Sequence, residues 1–349
     1  MNNPEKSINI FNKRFGRGED FAYLYSNRAR HASCLTTSEP GRDFSFYTIM
    51  KRKYSNTAIS INEQLSALRT QGLSIDIDNA DFYLERINYF RLARYLSSLK
   101  YTNKDTGEKS YHRDAKFSDV LNLYYFDKDL RLLLFSLIQT IEVALRSKLI
   151  NTFSPLDSHW FMESELFVNK GKFDANLVSL SKEINRSSED FIKNYYNTYN
   201  EPALPPAWKS LEVLSLGQIS KLYANFKDCA EKKEIARYFN LPNQKVLISW
   251  LKTISVLRNH CAHHSRIWNR TFGDLPQIPK KLKGEWIIHK PQNVQKLYLG
   301  LCCAKYMLNT IYADNNLTAQ LQELFAKYPT VKIHPMGFTP SWDTEPLWR

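Results

Sequence analysis

Apolar residues recur at helical spacing along most of this chain, and the first clear helix signal lies at residue 60. Ser60 and Glu63 have the spacing of a capping box, in which each side chain satisfies a backbone N–H group at a helix start. Leu65 and Leu68 follow on one face. A helix is therefore predicted from Ser60 to about residue 71, with Gly72 as its stop.

The next hundred residues predict two helices and a hairpin. Residues 79–99 carry an apolar stripe at helical spacing. Residues 118–153 contain the run LLLFSLIQTIEVALRSKLI, which predicts a core helix capped by Ser118. Between them, Asp-Thr-Gly at residues 105–107 is flanked by short mixed runs, a pattern that predicts a small, peripheral β-hairpin.

The remaining pattern is also helical, with an irregular middle. Residues 155–206 contain helical patches and end in the stiff run EPALPP, so they are predicted to form an insert packed on the helical core. Later helices are predicted at residues 208–226, 231–239, 244–264, 292–312 and 318–328.

These elements give an all-α fold class and three parts of the chain. Residues 1–55 show no steady period and are expected to form a poorly ordered N-terminal extension. Residues 56–330 are expected to form the helical domain, and residues 331–349 a C-terminal tail.

The composition of the chain predicts its net charge and its cellular compartment. The chain has 48 Lys and Arg against 35 Asp and Glu, a formal charge of +13 that attracts polyanions such as nucleic acid. Its five cysteines show no CxxC spacing, and no apolar stretch approaches the roughly 18 residues of a membrane span. We expect a cytoplasmic protein with no membrane partner.

The charge is concentrated in one window. Residues 251–290 hold eight Lys and Arg but only two acidic residues, nearly half of the excess. Lys280, Lys281 and Lys283 form its densest run. Such runs are often simply solvated faces, and the alternative that we expect is contact with RNA.

The same window contains a cluster of histidine and arginine. The segment VLRNHCAHHSRIWNR, residues 256–270, holds three of the eight histidines and three arginines. On a helix, Asn259 and His263 lie one turn apart, and Arg258 lies a turn before His263 on a neighbouring face.

These residue types suit metal-independent RNA cleavage by the 2′-hydroxyl. That reaction needs a group of near-neutral pKa to move protons and a permanent cation to hold the phosphate. His263 and Arg258 fit the two roles, and the Asn259 amide can orient the imidazole or bind the phosphate. No cofactor is required, because the nucleophile belongs to the substrate.

Each residue also has a simpler interpretation. Arginine and histidine at a helix end can cap its carbonyls and complement its dipole, and Trp268 is more typical of a core than of a stacking platform. Cys261 suits a buried position on the inner face of the helix.

A metal site is a further alternative. His260, His263 and His264 stand at i, i+3 and i+4, with Cys261, Cys302 and Cys303 as further candidate ligands. The sequence has no CxxC, HExxH or acidic cluster, and the basic surroundings would repel a divalent cation. We expect no metal. Nucleotide-binding motifs and a GxSxG nucleophile motif are absent as well.

Within the core helix, Glu142 and Arg146 lie four residues apart on one face. An unpaired charge in so apolar a run would be costly, so the two residues are predicted to pair or to face a site.

Five stretches of the chain resemble the abortive-infection (Abi) proteins of the AbiD/AbiF branch, in the HEPN superfamily, and they occur along the chain in the same order as in that family. They span much of the chain and are ERINYFRLARY (residues 85–95), FDKDLRLLLF (126–135), IEVALRSKL (141–149), PPAWKSLEVLSLGQISKLY (205–223) and LRNHCAHHSRIWNR (257–270).

The resemblance implies a HEPN-like helical bundle with additional helices and a nuclease motif. That motif becomes Arg258, Asn259 and His263, with His264 satisfying a longer spacing. Glu142 and Arg146 match polar positions beside the catalytic cleft and are expected to orient it, with His260 as a further supporting residue. Capping and RNA contact are equally plausible roles for the residues that match the tail of the motif, which are Arg266, Asn269 and Arg270.

The resemblance further implies partners. Nucleases of the HEPN superfamily act as dimers with two motifs across a composite cleft, so a homodimer is expected. Phage defence by growth arrest is implied, with an RNA substrate and a structured non-coding RNA as partners. The alternative function is a binding module that holds structured RNA without cutting it.

Overall fold

The computed structural model describes residues 57–105 and 107–349. The predicted N-terminal extension, residues 1–55, lies outside the described residues. Within these residues the fold is all-helical apart from one small hairpin, which confirms the predicted fold class. Residue contacts divide the chain into two compact units, one ending at Tyr124 and the other beginning at Tyr125.

The helices before the unit boundary are short, and their starts follow the local sequence. Helix α1, Ile61–Thr70, begins with the predicted capping box, since Ser60 Oγ accepts from Glu63 N and the Glu63 carboxylate accepts from Ser60 N. It ends before Gly72, which has a φ of +92°. Both features confirm the predicted first helix.

The predicted helix over residues 79–99 is divided in two. Helix α2, Ala80–Ile87, and helix α3, Tyr89–Leu96, meet at Asn88, which has a φ of +68°. The Asn88 side chain accepts the N–H of Phe90 at 2.8 Å and so starts the second helix. The prediction of one helix was wrong because an asparagine tolerates this backbone conformation and caps the helix that follows.

The predicted hairpin is present. Strands β1, Lys100–Thr102, and β2, Lys109–Tyr111, pair antiparallel, with Lys100 opposite Tyr111. The long helix α4 follows at Phe117–Phe153. Ser118 does not cap it, because Ser118 lies inside the first turn and its hydroxyl donates to Asp76 at 2.5 Å.

Helix α4 provides much of the core beyond Tyr125. Its buried apolar residues recur every three or four positions and comprise Phe126, Leu130, Leu134, Ile138, Ile141, Leu145, Leu149 and Phe153. That spacing places one continuous stripe of the helix in the interior.

The rest of the chain adds eight helices among the described residues. They are α5 (Lys170–Arg186), α6 (Asp190–Thr198), α7 (Ala207–Ser210), α8 (Leu216–Asn225), α9 (Ala230–Tyr238), α10 (Gln244–Ala262), α11 (Leu297–Ile311) and α12 (Leu317–Lys327). Helix α10 packs against α8, α9 and α11, and α8 packs against α5.

Two later boundaries differ from the prediction. The helix expected at residues 208–226 breaks after α7, and α8 starts with a second capping box between Ser215 and Gln218. Helix α11 begins at Leu297, five residues later than expected.

The C-terminal tail packs on the core through short 3₁₀ turns. Trp342, Leu347 and Trp348 are buried there, and the turn Pro346–Trp348 contacts α11. Among the helices of the described residues, none combines the length and apolar character that crossing a membrane requires.

Candidate functional site

The end of helix α10 presents two histidines on a tight turn. The helix ends at Ala262, two residues earlier than predicted, and His264 has a φ of +52°. The N–H of His264 donates to the Cys261 carbonyl at 3.1 Å, and that of Ser265 to the His260 carbonyl at 2.9 Å. This closing pattern satisfies the last carbonyls of the helix, and both His263 and His264 are exposed on it.

The segment after this turn is anchored on helix α4 by a buried carboxylate. Asp127, with 0% exposure, accepts the N–H of Ile267 at 3.0 Å and that of Trp268 at 2.6 Å. The same carboxylate forms an ion pair with Arg131. The Trp268 indole donates to the Lys332 carbonyl at 2.9 Å, and its side chain is buried, so the interpretation of Trp268 as a core residue is confirmed.

The Arg258 side chain extends from helix α10 and contacts helix α4. Its Nε lies 3.7 Å from Glu142 Oε2, and its guanidinium carbon lies 5.8 Å from the centre of the Phe135 ring. Its side chain is 27% exposed, so the cation combines a protein partner with access from solvent.

Glu142 connects Arg258 to a second arginine. Its Oε1 accepts from Arg146 Nη2 at 3.1 Å, so the predicted pairing of these two residues forms. Arg146 also donates to Glu212 Oε2 at 3.3 Å and to the Leu214 carbonyl at 3.1 Å.

We call the four residues Glu142, Arg146, Glu212 and Arg258 the ion cluster. Its two positive and two negative charges balance, and Glu142 and Arg146 are both only 9% exposed. Burial of charges is tolerated only when they are paired: hydrogen bonds join Glu142, Arg146 and Glu212, and Arg258 joins them through its 3.7 Å ion pair with Glu142. Sequence reasoning missed Glu212, whose only signal was its place in one of the family-like stretches.

His260 differs from the two exposed histidines. It is half-buried, and its ring packs edge-on against the Phe272 ring, with 5.8 Å between the ring centres. Burial, together with the charges of Arg270 and His263, lowers the pKa of His260 to about 4. His260 is therefore an uncharged imidazole near neutral pH and is poorly suited to act as an acid.

The residues that match the tail of the motif form hydrogen bonds within the loop that follows α10. Arg270 Nε donates to the Arg266 carbonyl at 2.6 Å, and Lys296 Nζ donates to Asn269 Oδ1 at 2.8 Å. Asn269 has a φ of +52°, a conformation that asparagine tolerates. Lys296 is thus a basic residue at this loop that the sequence did not single out, whereas Asn259 is exposed on the last turn of α10.

The lysine run follows a segment that contacts the first half of helix α10. Lys280, Lys281 and Lys283 are exposed. The preceding Gln277 accepts from the Trp250 indole at 2.9 Å through its carbonyl. Trp250 lies eight residues before Arg258, about 12 Å along the helix. The described contacts therefore bring these lysines to a different part of α10 from His263.

The cysteines of the predicted metal alternative lie in the core. Cys302 and Cys303 are fully buried in α11, and burial raises the pKa of both thiols. Cys261 is also buried, as predicted, and its pKa is raised to about 12. Across residues 57–105 and 107–349, no three His, Cys, Asp or Glu side chains are grouped so that they could hold a metal ion.

Comparison with known proteins gives one match. The sequence profile of the family described as Abi-like protein matches residues 82–269, more than half of the chain. That range includes the ion cluster and His263 and ends before the lysine run. No curated protein and no solved structure matches the chain.

Proposed function

The chain belongs to the family of Abi-like proteins, and on that premise we propose that it is a metal-independent endoribonuclease of the HEPN superfamily, in the AbiD/AbiF branch. Membership of the family suggests a role in abortive infection, a defence against phage. We further propose that the nuclease is held in check until infection triggers it.

The observation that carries the proposal is a partly exposed arginine with an acidic partner, followed five residues later by an exposed histidine. Arg258 is oriented by Glu142 and remains partly open to solvent, and His263 follows five residues later on a turn anchored through Asp127. In 2′-hydroxyl attack, Arg258 would bind the phosphate and offset the charge of the transition state, while His263 would transfer the proton. Asn259, one turn before His263, would orient the imidazole or the phosphate.

The ion cluster gives Arg258 a defined position. Arg146 holds Glu142 from one side and is itself held by Glu212 and the Leu214 carbonyl. Because catalysis by a fixed cation depends on its orientation before the reaction, this support favours cleavage over loose binding of phosphate.

A homodimer is also part of the proposal, through the exposed face of helix α4. Val143 is 52% exposed there and faces a groove of about 530 Å³. The groove is lined by Gln139, Thr140, Val143, Ala144, Ser147, Lys148, Asn151, Tyr238 and Ile311.

A second copy of the chain fits this groove on charge. In a two-fold contact the same residues face each other, so like charges would repel. The lining contains a single charged side chain, Lys148, and it is paired with Glu234 at 2.5 Å. The neutral, partly apolar strip favours a copy of itself. Val143→Glu should yield a monomer by light scattering, whereas Val178→Glu, at a valine of α5 that is 70% exposed, should not.

The alternative function is a module that binds structured non-coding RNA without cleaving it. The exposed lysine run favours it, because those charges lie on a different part of α10 from His263. A binding module would depend on such distributed phosphate contacts rather than on one histidine.

Cleavage of total bacterial RNA in EDTA separates the two functions. Wild-type protein should release fragments with 2′,3′-cyclic phosphate ends. Arg258→Ala and His263→Ala should abolish the fragments and retain most RNA affinity, because each removes one of many contacts. His264→Ala, prepared alongside, decides which exposed histidine carries the proton.

The matched control changes Lys280, Lys281 and Lys283 together to alanine. A nuclease with His263 at its centre should still cut after this change, with weaker retention at raised salt. If the triple variant loses all RNA binding and wild-type protein yields no fragments, the binding module is the better account. Full activity in His263→Ala and His264→Ala alike would refute the catalytic assignment.

A further inference from the structure

Helix α4 exposes an aromatic ring beside the proposed catalytic arginine. Phe135 is 37% exposed, and Leu132, one turn earlier, is 62% exposed. Their neighbours Leu134 and Ile138 are buried to 1% exposure or less. Phe135 therefore does not belong to the core stripe of α4. Core packing does not explain a large aromatic ring that is exposed to solvent, and such rings often mark binding surfaces.

Contacts with helix α10 show what this ring faces. Arg258 lies against Phe135 and Glu142, whereas Ile267, farther along the chain, is held by Asp127, earlier on α4. The segment from α10 into its closing turn therefore runs antiparallel to α4.

The level of His263 along α4 follows from helix geometry. Five residues of α10 separate Arg258 from His263, about 7–8 Å along the axis at 1.5 Å per residue. Moving that far from Arg258 towards Asp127 reaches the part of α4 that carries Leu132 and Phe135. The exposed ring is thus in contact with the Arg258 guanidinium, and the exposed imidazole of His263 follows at the level of the ring along α4, about 140° farther round α10 than Arg258.

We propose that Phe135 is a stacking platform for an unpaired RNA base, whose adjoining phosphate lies between Arg258 and His263. The proposal rests on the proposed function and names its substrate class, which is single-stranded or looped RNA. Aromatic rings bind bases of any sequence through their faces, and Arg258 beside the ring adds attraction for the phosphate and for the base itself.

Duplex RNA is a poor substrate for such a site. Its bases are already stacked on one another and would have to leave the helix to reach Phe135, at a cost in pairing and stacking free energy. Phe135 is not among the residues that line the groove assigned to the second copy.

The test uses a short single-stranded RNA that carries the fluorescent base 2-aminopurine, whose emission falls when it stacks. Binding is measured in the His263→Ala background so that the probe stays intact. Phe135→Ala should abolish the quenching and raise Kd by about 5- to 150-fold, the range of aromatic stacking contributions. Phe135→Tyr should retain the quenching and the wild-type Kd. The duplex form of the probe should show no further quenching on binding to either variant.

Phe82→Ala is the matched control. Phe82 is 42% exposed on α2 and carries Arg86 at 3.5 Å over its ring, so it reproduces an exposed phenylalanine with a guanidinium partner of its own. Its removal should leave quenching and Kd unchanged. Phe135→Leu keeps the apolar bulk, so loss of quenching in that folded variant, checked by thermal unfolding, assigns the effect to the ring.

The outcomes separate the inference from the proposed function. If Phe135→Ala matches Phe82→Ala in quenching and in Kd, the stacking platform is refuted, even if wild-type protein cleaves RNA. If quenching depends on Phe135 but wild-type protein never cleaves, the base site stands and the nuclease assignment fails. In a cleaving enzyme, Phe135→Ala should raise KM for the single strand more than it lowers kcat.

Discussion

Asp127→Ala is the substitution that most directly tests how the candidate site is held. Asp127 is fully buried, and its carboxylate accepts the N–H groups of Ile267 and Trp268 and pairs with Arg131. Alanine removes all three interactions at once and leaves the fold around them otherwise intact.

The expected loss of stability is large. Breaking a buried ion pair by removing one partner costs about 3–5 kcal/mol, and a buried N–H without an acceptor costs about 1–3 kcal/mol. These contributions overlap, because one carboxylate serves them all, so we expect the free energy of unfolding to fall by about 4–6 kcal/mol. Asp127→Asn keeps one acceptor oxygen and should fall between alanine and wild type.

Asp129→Ala is the control, two residues along the same helix. Asp129 pairs with Lys327 at 2.8 Å, but its side chain is 27% exposed and that of Lys327 is 63% exposed. Such an ion pair contributes about 0.2–1 kcal/mol and the hydrogen bond that Asp129 accepts from the Tyr328 hydroxyl at 2.8 Å about 1 kcal/mol, so this variant should lose no more than about 2 kcal/mol.

Urea unfolding followed by tryptophan fluorescence measures these differences, and amide hydrogen exchange at Ile267 and Trp268 localises them. Asp127→Ala should also slow RNA cleavage, since the turn that carries His263 loses its anchor. The reasoning is refuted if Asp127→Ala lies within about 1 kcal/mol of Asp129→Ala, or if the two amides keep their protection.

Three further predictions concern the site and the elbow between α2 and α3. Glu142→Gln keeps the size of the side chain but removes the charge that orients Arg258, so single-turnover cleavage should fall about 10- to 100-fold while filter binding of RNA stays unchanged; equal loss in both would contradict a positioning role. The pKa of His260 is lowered to about 4 in the folded protein, below its ordinary value in the unfolded chain, so the unfolded chain binds the proton first and stability should fall as pH drops from about 6.5 to about 4. An NMR titration of His260 with a midpoint above pH 6 would overturn this assignment. Asn88→Ala should destabilise the protein by about 1–2 kcal/mol and Asn88→Gly by less, because Asn88 has a φ of +68°; equal unfolding midpoints would argue against backbone strain there.

Features set by neighbouring residues could be predicted from the sequence. The capping box of Ser60 and Glu63 and the hairpin turn depend on side chains within a few positions of each other. The same rule would have found the start of α8, since Ser215 and Gln218 repeat the capping spacing. The apolar pattern of residues 208–226 concealed that boundary, because it continues at helical spacing across the break.

Features set by distant residues could not be predicted. Asp127 reaches Ile267 and Trp268 across 140 and 141 residues, and Arg146 reaches Glu212 across 66. Periodicity identifies which face of a helix is buried but not which segment covers it. The pairing of Glu142 with Arg146 was accessible because it lies within one helix, whereas the partners that complete the ion cluster depend on the packing of α4, α10 and the turn before α8.

Helix α4 holds the candidate site at two points, and this has a mechanical consequence. Asp127 fixes the turn that follows α10, and Glu142 fixes Arg258, fifteen residues or about 22 Å farther along the same helix. A helix resists bending over such a length, so a push on its outer face displaces both attachment points together. α4 therefore ties Arg258 and the His263 turn to one stiff element, which sets the spacing between them.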